Sequence, residues 1–200
     1  MIKNIVFDFG QVLVHFEPKY MVGAYVDDKD DANLLEEVVF DRLYWDRLDA
    51  GTISNEETVG KIQKRIPKRL WDVAEKIYYN WIYNIPEIEG MRELIGFLKE
   101  NYNLKYCLLS NISKYFAENA DKVPILKELD ECVMSGPIGI VKPSKEIFEH
   151  LCAKCNIEPS ETIFIDDNAS NIKGASEFGI NTYAFDGNVE KLKEYLIKVL

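Results

Sequence analysis

The chain has 200 residues, of which 47% are hydrophobic and 12% aromatic, a composition typical of a packed globular protein and not of a disordered one. Its 24 basic and 34 acidic residues give a formal net charge of −10, and because no basic block interrupts this acidic composition we expect no nucleic-acid partner. No apolar run approaches the length of a membrane span and the sequence starts directly with an apolar strand, so we expect no membrane partner, no signal peptide and a cytoplasmic location.

Five short apolar runs predict the strands of one parallel sheet. The first is Ile2–Phe7, and the others come much later, at Lys105–Leu109, Cys132–Met134, Thr162–Ile165 and, more weakly, Asn181–Phe185. Helical patterns separate the later runs, and strands that alternate with helices are typical of right-handed βαβ units. The expected fold class is therefore α/β, with a three-layer core and a parallel, Rossmann-like sheet.

The segment between the first and second strands breaks this alternation. Residues 17–88 contain no convincing strand but several apolar helical faces, and Ser54 with Glu57 forms a capping box before one of them. We therefore predict an inserted helical bundle at 17–88 and a core domain made of residues 1–16 and 89–200. An insertion that enters just beyond the carboxyl end of a strand is expected to lie over the crevice where open α/β sheets bind ligands.

Four short segments carry chemically active side chains, and each is expected at the end of a predicted strand. The four segments are FDFGQVL with Asp8, LLSN with Ser110 and Asn111, VKPSKEIF with Lys142, and FIDDNASNI with Asp166 and Asp167. The carboxyl ends of parallel strands point the same way, so these groups can converge on one crevice. Clustered carboxylates repel one another unless a cation lies among them, and hard oxygen ligands favour Mg²⁺. Ser110 and Lys142 would then offer a hydroxyl group and a positive charge to a phosphoryl group, beside a metal-bound carboxylate that can act as a nucleophile.

This order of motifs resembles the haloacid dehalogenase-like hydrolase superfamily over essentially the whole chain, and the position of the insertion resembles its helical-bundle cap. The resemblance implies a phosphatase that attacks a small phosphorylated metabolite, its expected partner, with Asp8 and forms an aspartyl-phosphate intermediate. No oligomeric state is indicated. The resemblance also implies the individual roles: Mg²⁺ bound by Asp8, Asp166 and the backbone carbonyl of Gly10, support of the metal's water shell by Asp167, phosphoryl binding by Ser110, Asn111 and Lys142, and catalytic roles for Asp8 and Lys142.

Gly10 departs from the superfamily pattern. Most of its phosphatases have a second Asp two residues after the nucleophile, as a general acid/base that is worth about two to four orders of magnitude in rate. A subgroup with an Asp-x-Gly-Asn/Gly-Val motif resembles this chain closely and includes phosphatases of sugar phosphates such as glucose 1-phosphate, whose leaving group needs less acid catalysis. His15, seven residues after Asp8, is a candidate for proton transfer, but a hinge residue hydrogen-bonded to the backbone is the preferred interpretation.

Three other functions fit parts of the pattern. A metal-independent 2-haloacid dehalogenase also lacks the second Asp, but it would leave the adjacent acids Asp166 and Asp167 unexplained. A sugar-phosphate mutase of the β-phosphoglucomutase kind shares the cap type but needs the acid/base Asp that Gly10 replaces. A catalytically degenerate binding protein is compatible with Gly10, yet it would need no nucleophile. Each motif could also be a turn or a helix cap, so the prediction depends on all four occurring together.

Most of the remaining cysteine, histidine and aromatic residues are predicted to be structural. The four cysteines complete no metal-binding set, which favours reduced thiols, and Cys107 and Cys132 are expected in the sheet core. His150 falls on an apolar helical face. The aromatic residues of the insertion are expected mostly in its core, with one or two available to face the crevice: Tyr44, Trp45, Tyr78, Tyr79, Trp81 and Tyr83.

Overall fold

The computed structural model describes the whole chain, Met1–Leu200, and contains one sheet of five strands. The strands are β1 (Asn4–Phe7), β2 (Lys105–Ser110), β3 (Glu131–Met134), β4 (Thr162–Asp166) and β5 (Asn181–Ala184). All four pairings are parallel and the strand order is β3-β2-β1-β4-β5, so β1 lies at the centre of the sheet. The predicted α/β fold with a parallel sheet is confirmed.

The regular elements between β1 and residue 83 are all helical. They are α1 (Pro18–Gly23), α2 (Lys29–Val39), α3 (Arg42–Asp49), α4 (Asn55–Gln63) and α5 (Trp71–Asn80), with short 3₁₀ helices at Lys68–Leu70 and Trp81–Tyr83. Side-chain caps fix where several of them begin. The Ser54 hydroxyl accepts from the Glu57 N–H at the start of α4, as its capping-box pattern predicts, and Asp41 caps α3 by accepting from the Leu43 N–H.

Helices in the rest of the chain cover both faces of the sheet. They are α6 (Met91–Asn101), α7 (Lys114–Glu118), α8 (Ser135–Ile138), α9 (Lys145–Cys155), α10 (Ala169–Phe178) and α11 (Val189–Val199), with short 3₁₀ helices at Ala120–Lys122, Pro124–Glu128 and Pro159–Glu161. Leu94 of α6 and Leu192 of α11 join one hydrophobic cluster, whereas Phe148 of α9 and Ala175 of α10 join another. The core therefore has the three layers that the sequence predicts. None of the helices combines the length and apolarity needed to cross a membrane.

Burial of the sheet on both faces explains why β1, β2 and β4 are continuous apolar runs in the sequence. In β1, Ile5 and Phe7 pack into a cluster of 42 buried hydrophobic residues, while Val6 points the other way into a cluster of 12. Successive side chains of a strand point to opposite faces, so both faces of a covered parallel sheet require apolar residues. The sheet is thus a rigid support for the residues at its carboxyl edge.

The larger hydrophobic cluster continues from the sheet into the helical insertion. The Trp81 ring centroid lies 5.3 Å from that of Phe116 in α7, 5.2 Å from Phe16 and 5.4 Å from Trp45 in α3. Phe9, directly after Asp8, packs against Phe116 with ring centroids 4.9 Å apart. This aromatic cluster fixes α3 against the edge of the sheet from which Asp8 projects.

The structure corrects details of the predicted elements. Lys142 does not follow a strand end as predicted, because α8 lies between β3 and Lys142. Strand β1 begins at Asn4, two residues later than predicted, and such one- or two-residue differences are usual at element ends. Tyr83 is 55% exposed and not part of the core, because it lies in a 3₁₀ helix where the spacing of the α5 face no longer applies. Cys132 is only half-buried because β3 is an edge strand, whereas Cys107 in β2 is fully buried, as expected.

Candidate active site

Three neighbouring strands end in polar residues at one edge of the sheet. Ser110 is the last residue of β2, Asp166 is the last residue of β4, and Asp8 follows β1, which lies between them. The Asp8 N–H donates to the Ile165 carbonyl over 2.9 Å, so the strand ladder fixes the backbone of Asp8 beside β4. The parallel register therefore gathers these three side chains, as expected for the carboxyl edge of such a sheet.

Lys142 is a buried cation between the carboxylates of Asp8 and Asp166. Its Nζ lies 2.7 Å from Asp8 Oδ1 and 2.7 Å from Asp166 Oδ2, and its side chain is only 1% exposed. Burial by itself lowers the pKa of Lys142, but the two carboxylates outweigh burial and raise it. Lys142 therefore supplies a stable positive charge at the floor of the site.

Asn111 positions the backbone of Lys142. Its Nδ2 donates to the Lys142 carbonyl over 3.0 Å, and its Oδ1 accepts from the Lys142 N–H over 2.7 Å. These two hydrogen bonds tie the segment before α9 to the end of β2, across 31 residues of sequence. The position of the buried ammonium group thus depends on the strand end next to it.

Asp166 is fully buried and is held by two asparagines that follow it. The Asn168 N–H donates to Asp166 Oδ1 over 2.8 Å, and Asn171 Nδ2 lies 3.2 and 3.1 Å from the two carboxylate oxygens. The Asn168 side chain also caps α10 by accepting from the N–H groups of Ser170 and Asn171. The start of this helix therefore fixes the orientation of the Asp166 carboxylate.

Asp8, Asp166 and Asp167 form an acidic cluster whose carboxylate oxygens lie within 4.8 Å of one another. Burial raises the pKa of Asp8 to about 6, an effect that Lys142 opposes and Asp166 strengthens. Three carboxylates beside a single lysine leave an excess of negative charge, and oxygen ligands at this spacing suit a hard divalent cation. The donor set therefore fits Mg²⁺.

A cleft of about 430 Å³ opens at this edge of the sheet. Asp8 and Lys142 lie on the sheet side of the cleft, while Phe40, Arg42 and Trp45 reach it from the helical insertion. Clefts of this size are typical of sites for small molecules. One ligand could therefore contact both the strand ends and the insertion.

The structure brings the predicted site residues together. Those that line the cleft are Asp8, Gly10, Ser110, Asn111, Lys142 and Asp167. Asp166 lies behind them, in contact with Lys142. His15 does not line the cleft, and its backbone N–H donates to the Pro86 carbonyl over 2.8 Å. His150 lies on α9, away from the cleft, as its apolar helical position predicts.

Several residues of the site were not predicted from the sequence. Asn171 could have been found, because it lies in the first turn of the helix that follows the acidic pair. Arg42 and Asp49 lie at the two ends of α3 and carry no motif. Only the packing of the insertion brings them to the cleft that Asp8 lines.

A comparison with family models settles the relationship of the chain. The model of the haloacid dehalogenase-like hydrolases matches residues 2–179. The chain belongs to the haloacid dehalogenase-like hydrolase family. The predicted resemblance is therefore confirmed, and the match spans the strand ends, the helical insertion and the acidic pair.

Proteins similar to this chain include a phosphatase and a dehalogenase. D-ribitol-5-phosphate phosphatase of Bacteroides thetaiotaomicron is 26% identical over 98% of each chain. A solved structure of a haloacid dehalogenase-like family enzyme from the same organism, in complex with magnesium and inorganic phosphate, has the same fold, with a TM-score of 0.69 and 21% identity over 96% of this chain and 99% of that one. The (S)-2-haloacid dehalogenase 1 of a Pseudomonas species is 34% identical, but over only 44% of this chain and 39% of that protein.

Proposed function

We propose that this hydrolase is a magnesium-dependent phosphatase that dephosphorylates a small metabolite through an aspartyl-phosphate intermediate on Asp8. The observation that carries the proposal is the buried Lys142, 2.7 Å from both Asp8 and Asp166, beside a small-molecule cleft. Asp8 must approach a phosphoryl group that is itself anionic, and a fixed cation next to the nucleophile reduces their repulsion. Similarity to D-ribitol-5-phosphate phosphatase over nearly the full chain supports the same chemistry.

The acidic cluster is the proposed metal site. Asp8, Asp166 and the backbone carbonyl of Gly10 would hold Mg²⁺, and Asp167 would support its water shell. When bound, the ion offsets the charge of the phosphoryl oxygens next to the nucleophile. The spacing of the three carboxylates, within 4.8 Å, supports this assignment.

The remaining side chains of the site would act as the nucleophile and bind the phosphoryl group. The Asp8 carboxylate attacks phosphorus, the bond from phosphorus to the leaving oxygen breaks, and water later hydrolyses the aspartyl phosphate to inorganic phosphate and free Asp8. Ser110, which is buried at the end of β2, would donate its hydroxyl hydrogen to a phosphoryl oxygen. Lys142 would neutralise phosphoryl charge, and Asn111 would help shape the pocket while it holds the Lys142 backbone.

A sugar phosphate or sugar-alcohol phosphate is the proposed substrate. The aromatic rings of Phe40 and Trp45 suit the apolar face of a carbohydrate, and the neighbouring Arg42 and Gln11 side chains offer donors to its hydroxyl groups. The substrate in the name of the Bacteroides phosphatase belongs to this class. Four free cysteines agree with the proposed cytoplasmic location, where thiols stay reduced.

Residues 17–88 are the proposed cap domain, with residues 1–16 and 89–200 as the core domain. Helix α3 supplies Arg42, Trp45 and Asp49 to a cleft whose other side is the sheet edge. A cap in this place would select the substrate and exclude bulk water during the reaction.

The partial similarity to the Pseudomonas enzyme makes a dehalogenase the alternative function. Measuring the release of phosphate and of chloride distinguishes the proposed phosphatase from a dehalogenase. We expect phosphate release from D-ribitol 5-phosphate or another sugar phosphate in Mg²⁺, loss of this activity in EDTA, and no chloride release from 2-chloropropionate. Chloride release that persists in EDTA, without any phosphate release, would contradict the proposal.

A further inference from the structure

Asp49 is a buried carboxylate of the cleft that has no role in the mechanism above. It is the last residue of α3, lines the same cleft as Asp8 and is only 9% exposed. Its Oδ1 atom has no hydrogen-bond partner. A buried polar atom without a hydrogen-bond partner is costly to the folded protein, so such an atom in a substrate-sized cleft points to a function for Asp49.

The backbone of Asp49 is hydrogen-bonded to the proposed core domain, residues 1–16 and 89–200. The Ser135 hydroxyl donates to the Asp49 carbonyl over 2.6 Å, and the same hydroxyl oxygen accepts from the Ile112 N–H over 2.9 Å. Ile112 follows Asn111 at the end of β2, so a single hydroxyl links the end of α3 to a strand end that forms the site. Gly51 permits this approach, because a Cβ atom at position 51 would lie 2.6 Å from the Gly136 carbonyl oxygen. The core domain therefore fixes the backbone position of Asp49.

Gly10 has no side chain that can act as a general acid/base. The other ionisable groups of the cleft are also unsuited to this proton transfer. The ionisable side chains that line the cleft are Asp8, Arg42, Asp49, Lys142 and Asp167. Asp8 is the proposed nucleophile, Asp167 is assigned to the metal, and the pKa of Lys142 is raised by its two carboxylate partners. An arginine stays protonated at all ordinary pH values, and His15 lies outside the cleft. Asp49 is the group that remains.

We infer that Asp49 is the general acid/base of this hydrolase, supplied by the helical insertion in place of a residue at position 10. The inference rests on the proposed phosphatase function and adds one residue to its mechanism. It also gives the insertion a chemical role, because the proton donor would reach the leaving group only from α3.

The two proton transfers balance over the reaction. In the first step Asp8 attacks phosphorus, the bond to the leaving oxygen breaks, and the protonated Asp49 gives its proton to that oxygen, which leaves as an alcohol. In the second step the Asp49 carboxylate takes a proton from water as the water oxygen attacks the aspartyl phosphate. The bond between phosphorus and Asp8 breaks, which releases inorganic phosphate and returns both side chains to their starting states.

The surroundings of Asp49 suit both roles near neutral pH. Burial raises the pKa of Asp49 to about 7; Arg42 lowers the pKa, Asp46 and Asp8 raise it further, and Lys142 lowers it. Arg42 and Asp46 belong to the same helix as Asp49. Asp8 and Lys142 belong to the core domain and line the same cleft. A group that titrates near the working pH can both donate and accept a proton efficiently.

The variant that tests the inference is Asp49→Asn, assayed with two leaving groups. D-ribitol 5-phosphate releases an alkoxide that needs a proton, whereas p-nitrophenyl phosphate releases a stable phenolate that does not. We expect kcat/KM of the variant to fall about 10²–10⁴-fold for the alkyl phosphate and less than about tenfold for the aryl phosphate. No loss with the alkyl phosphate, or an equal loss with both substrates, would overturn the inference.

Two further variants make the result specific. Asp72→Asn is the matched control, because Asp72 is an exposed aspartate in α5 of the same insertion, and we expect it to keep wild-type activity. Asp8→Asn tests the underlying function, and we expect it to be inactive with both substrates. If the wild-type protein released no phosphate, or Asp8→Asn remained active, the phosphatase proposal itself would fail. If both of those results were as expected and Asp49→Asn matched the wild type, only the role of Asp49 would fail.

The pH dependence of the wild-type protein gives a test that needs no variant. A general acid must be protonated before the first step, so kcat/KM for the alkyl phosphate should fall as the pH rises through the pKa of Asp49. We expect this alkaline decline to be absent with p-nitrophenyl phosphate. The same alkaline decline with both substrates would contradict the inference.

Discussion

Lys142 shows how individual residues make the site both stable and reactive. Its ammonium group is almost completely buried and is balanced by Asp8 and Asp166. A buried ion pair adds little stability over an apolar replacement of the whole pair, but removal of one partner leaves a buried charge uncompensated and is costly. The same three charges that must be kept in balance for folding are the ones that the proposed reaction uses.

Replacement of Lys142 by methionine is predicted to destabilise the metal-free protein. Two neighbouring carboxylates would then lack their cation, and we expect a loss of about 3–5 kcal/mol in the free energy of unfolding. Urea denaturation in EDTA measures this loss, and added Mg²⁺ should restore part of it by binding to the acidic cluster. Lys145→Met is the control, since Lys145 is 72% exposed and its pair with Glu149 contributes little. Equal stabilities of the two variants would contradict this account of Lys142.

Asp49 is predicted to make stability decrease with pH. Its folded-state pKa of about 7 lies above the ordinary value of 3.8, so in this range the folded protein keeps a proton that the unfolded chain releases. The stabilisation is complete below the ordinary pKa and is lost as the pH rises through the folded-state pKa. Asp49→Asn should therefore flatten the pH dependence by up to about 1.4 kcal/mol per pH unit, as measured by urea denaturation in EDTA. Identical pH slopes for variant and wild type would refute this prediction.

At the scale of residues, the sequence identified those parts of the site that follow from strand ends. Asp8, Ser110 and Asp166 are predictable because an apolar run precedes each of them and parallel strands end at one edge. Asp49 was not predictable, because its position depends on the Ser135 hydroxyl and on the close approach of Gly51 to Gly136. Contacts of this kind join segments far apart in sequence, and no local pattern marks them.

At the scale of elements, the contact between insertion and sheet decides how the site is closed. The aromatic cluster joins Trp45 and Trp81 of the insertion to Phe116 of α7, with Phe16 packed against both tryptophans. A hydrophobic cluster that is continuous across this boundary favours one cooperative unit. It also holds α3, and with it Asp49, at a fixed place over the strand ends.

Trp81→Ala is predicted to destabilise the whole protein and not the insertion alone. Trp81 is almost completely buried, and loss of a buried tryptophan side chain costs about 3–5 kcal/mol. We expect a single unfolding transition at lower urea concentration, coincident by circular dichroism and tryptophan fluorescence. Tyr83→Ala, in the same 3₁₀ helix but 55% exposed, is the control and should change stability little. Separate transitions for the two probes would indicate that the insertion unfolds independently.

The elements themselves were largely predictable, and their exceptions have simple causes. Continuous apolar runs marked β1, β2 and β4 because both faces of these strands are buried, whereas the edge strand β5 is largely exposed and gave only a weak run. Side-chain caps such as Ser54 marked helix starts. Tyr83 is the exposed one among aromatic residues that were expected mostly in the core, and it lies where α5 changes to a 3₁₀ helix after Asn80. Helical spacing in the sequence does not reveal where such a change occurs.

At the scale of the whole molecule, the charge distribution makes binding of an anion depend on the metal. The net charge of −10 repels an anionic substrate from most of the surface. Arg42 and Lys142 line the cleft, but three aspartates line it as well: Asp8, Asp49 and Asp167. Bound Mg²⁺ would offset this excess of negative charge, so we expect phosphorylated substrates to bind much more weakly in EDTA than in Mg²⁺.

Detection of a phosphorylated Asp8 tests the central claim most directly. Wild-type protein with Mg²⁺ and a substrate that it hydrolyses is quenched in acid within a single turnover, and the phosphorylated peptide is mapped by mass spectrometry. We predict one phosphoryl group on Asp8, and neither phosphorylation nor turnover in a folded Asp8→Asn variant. Turnover by Asp8→Asn, or wild-type turnover that never yields phosphorylated Asp8 at any quench time, would contradict the mechanism.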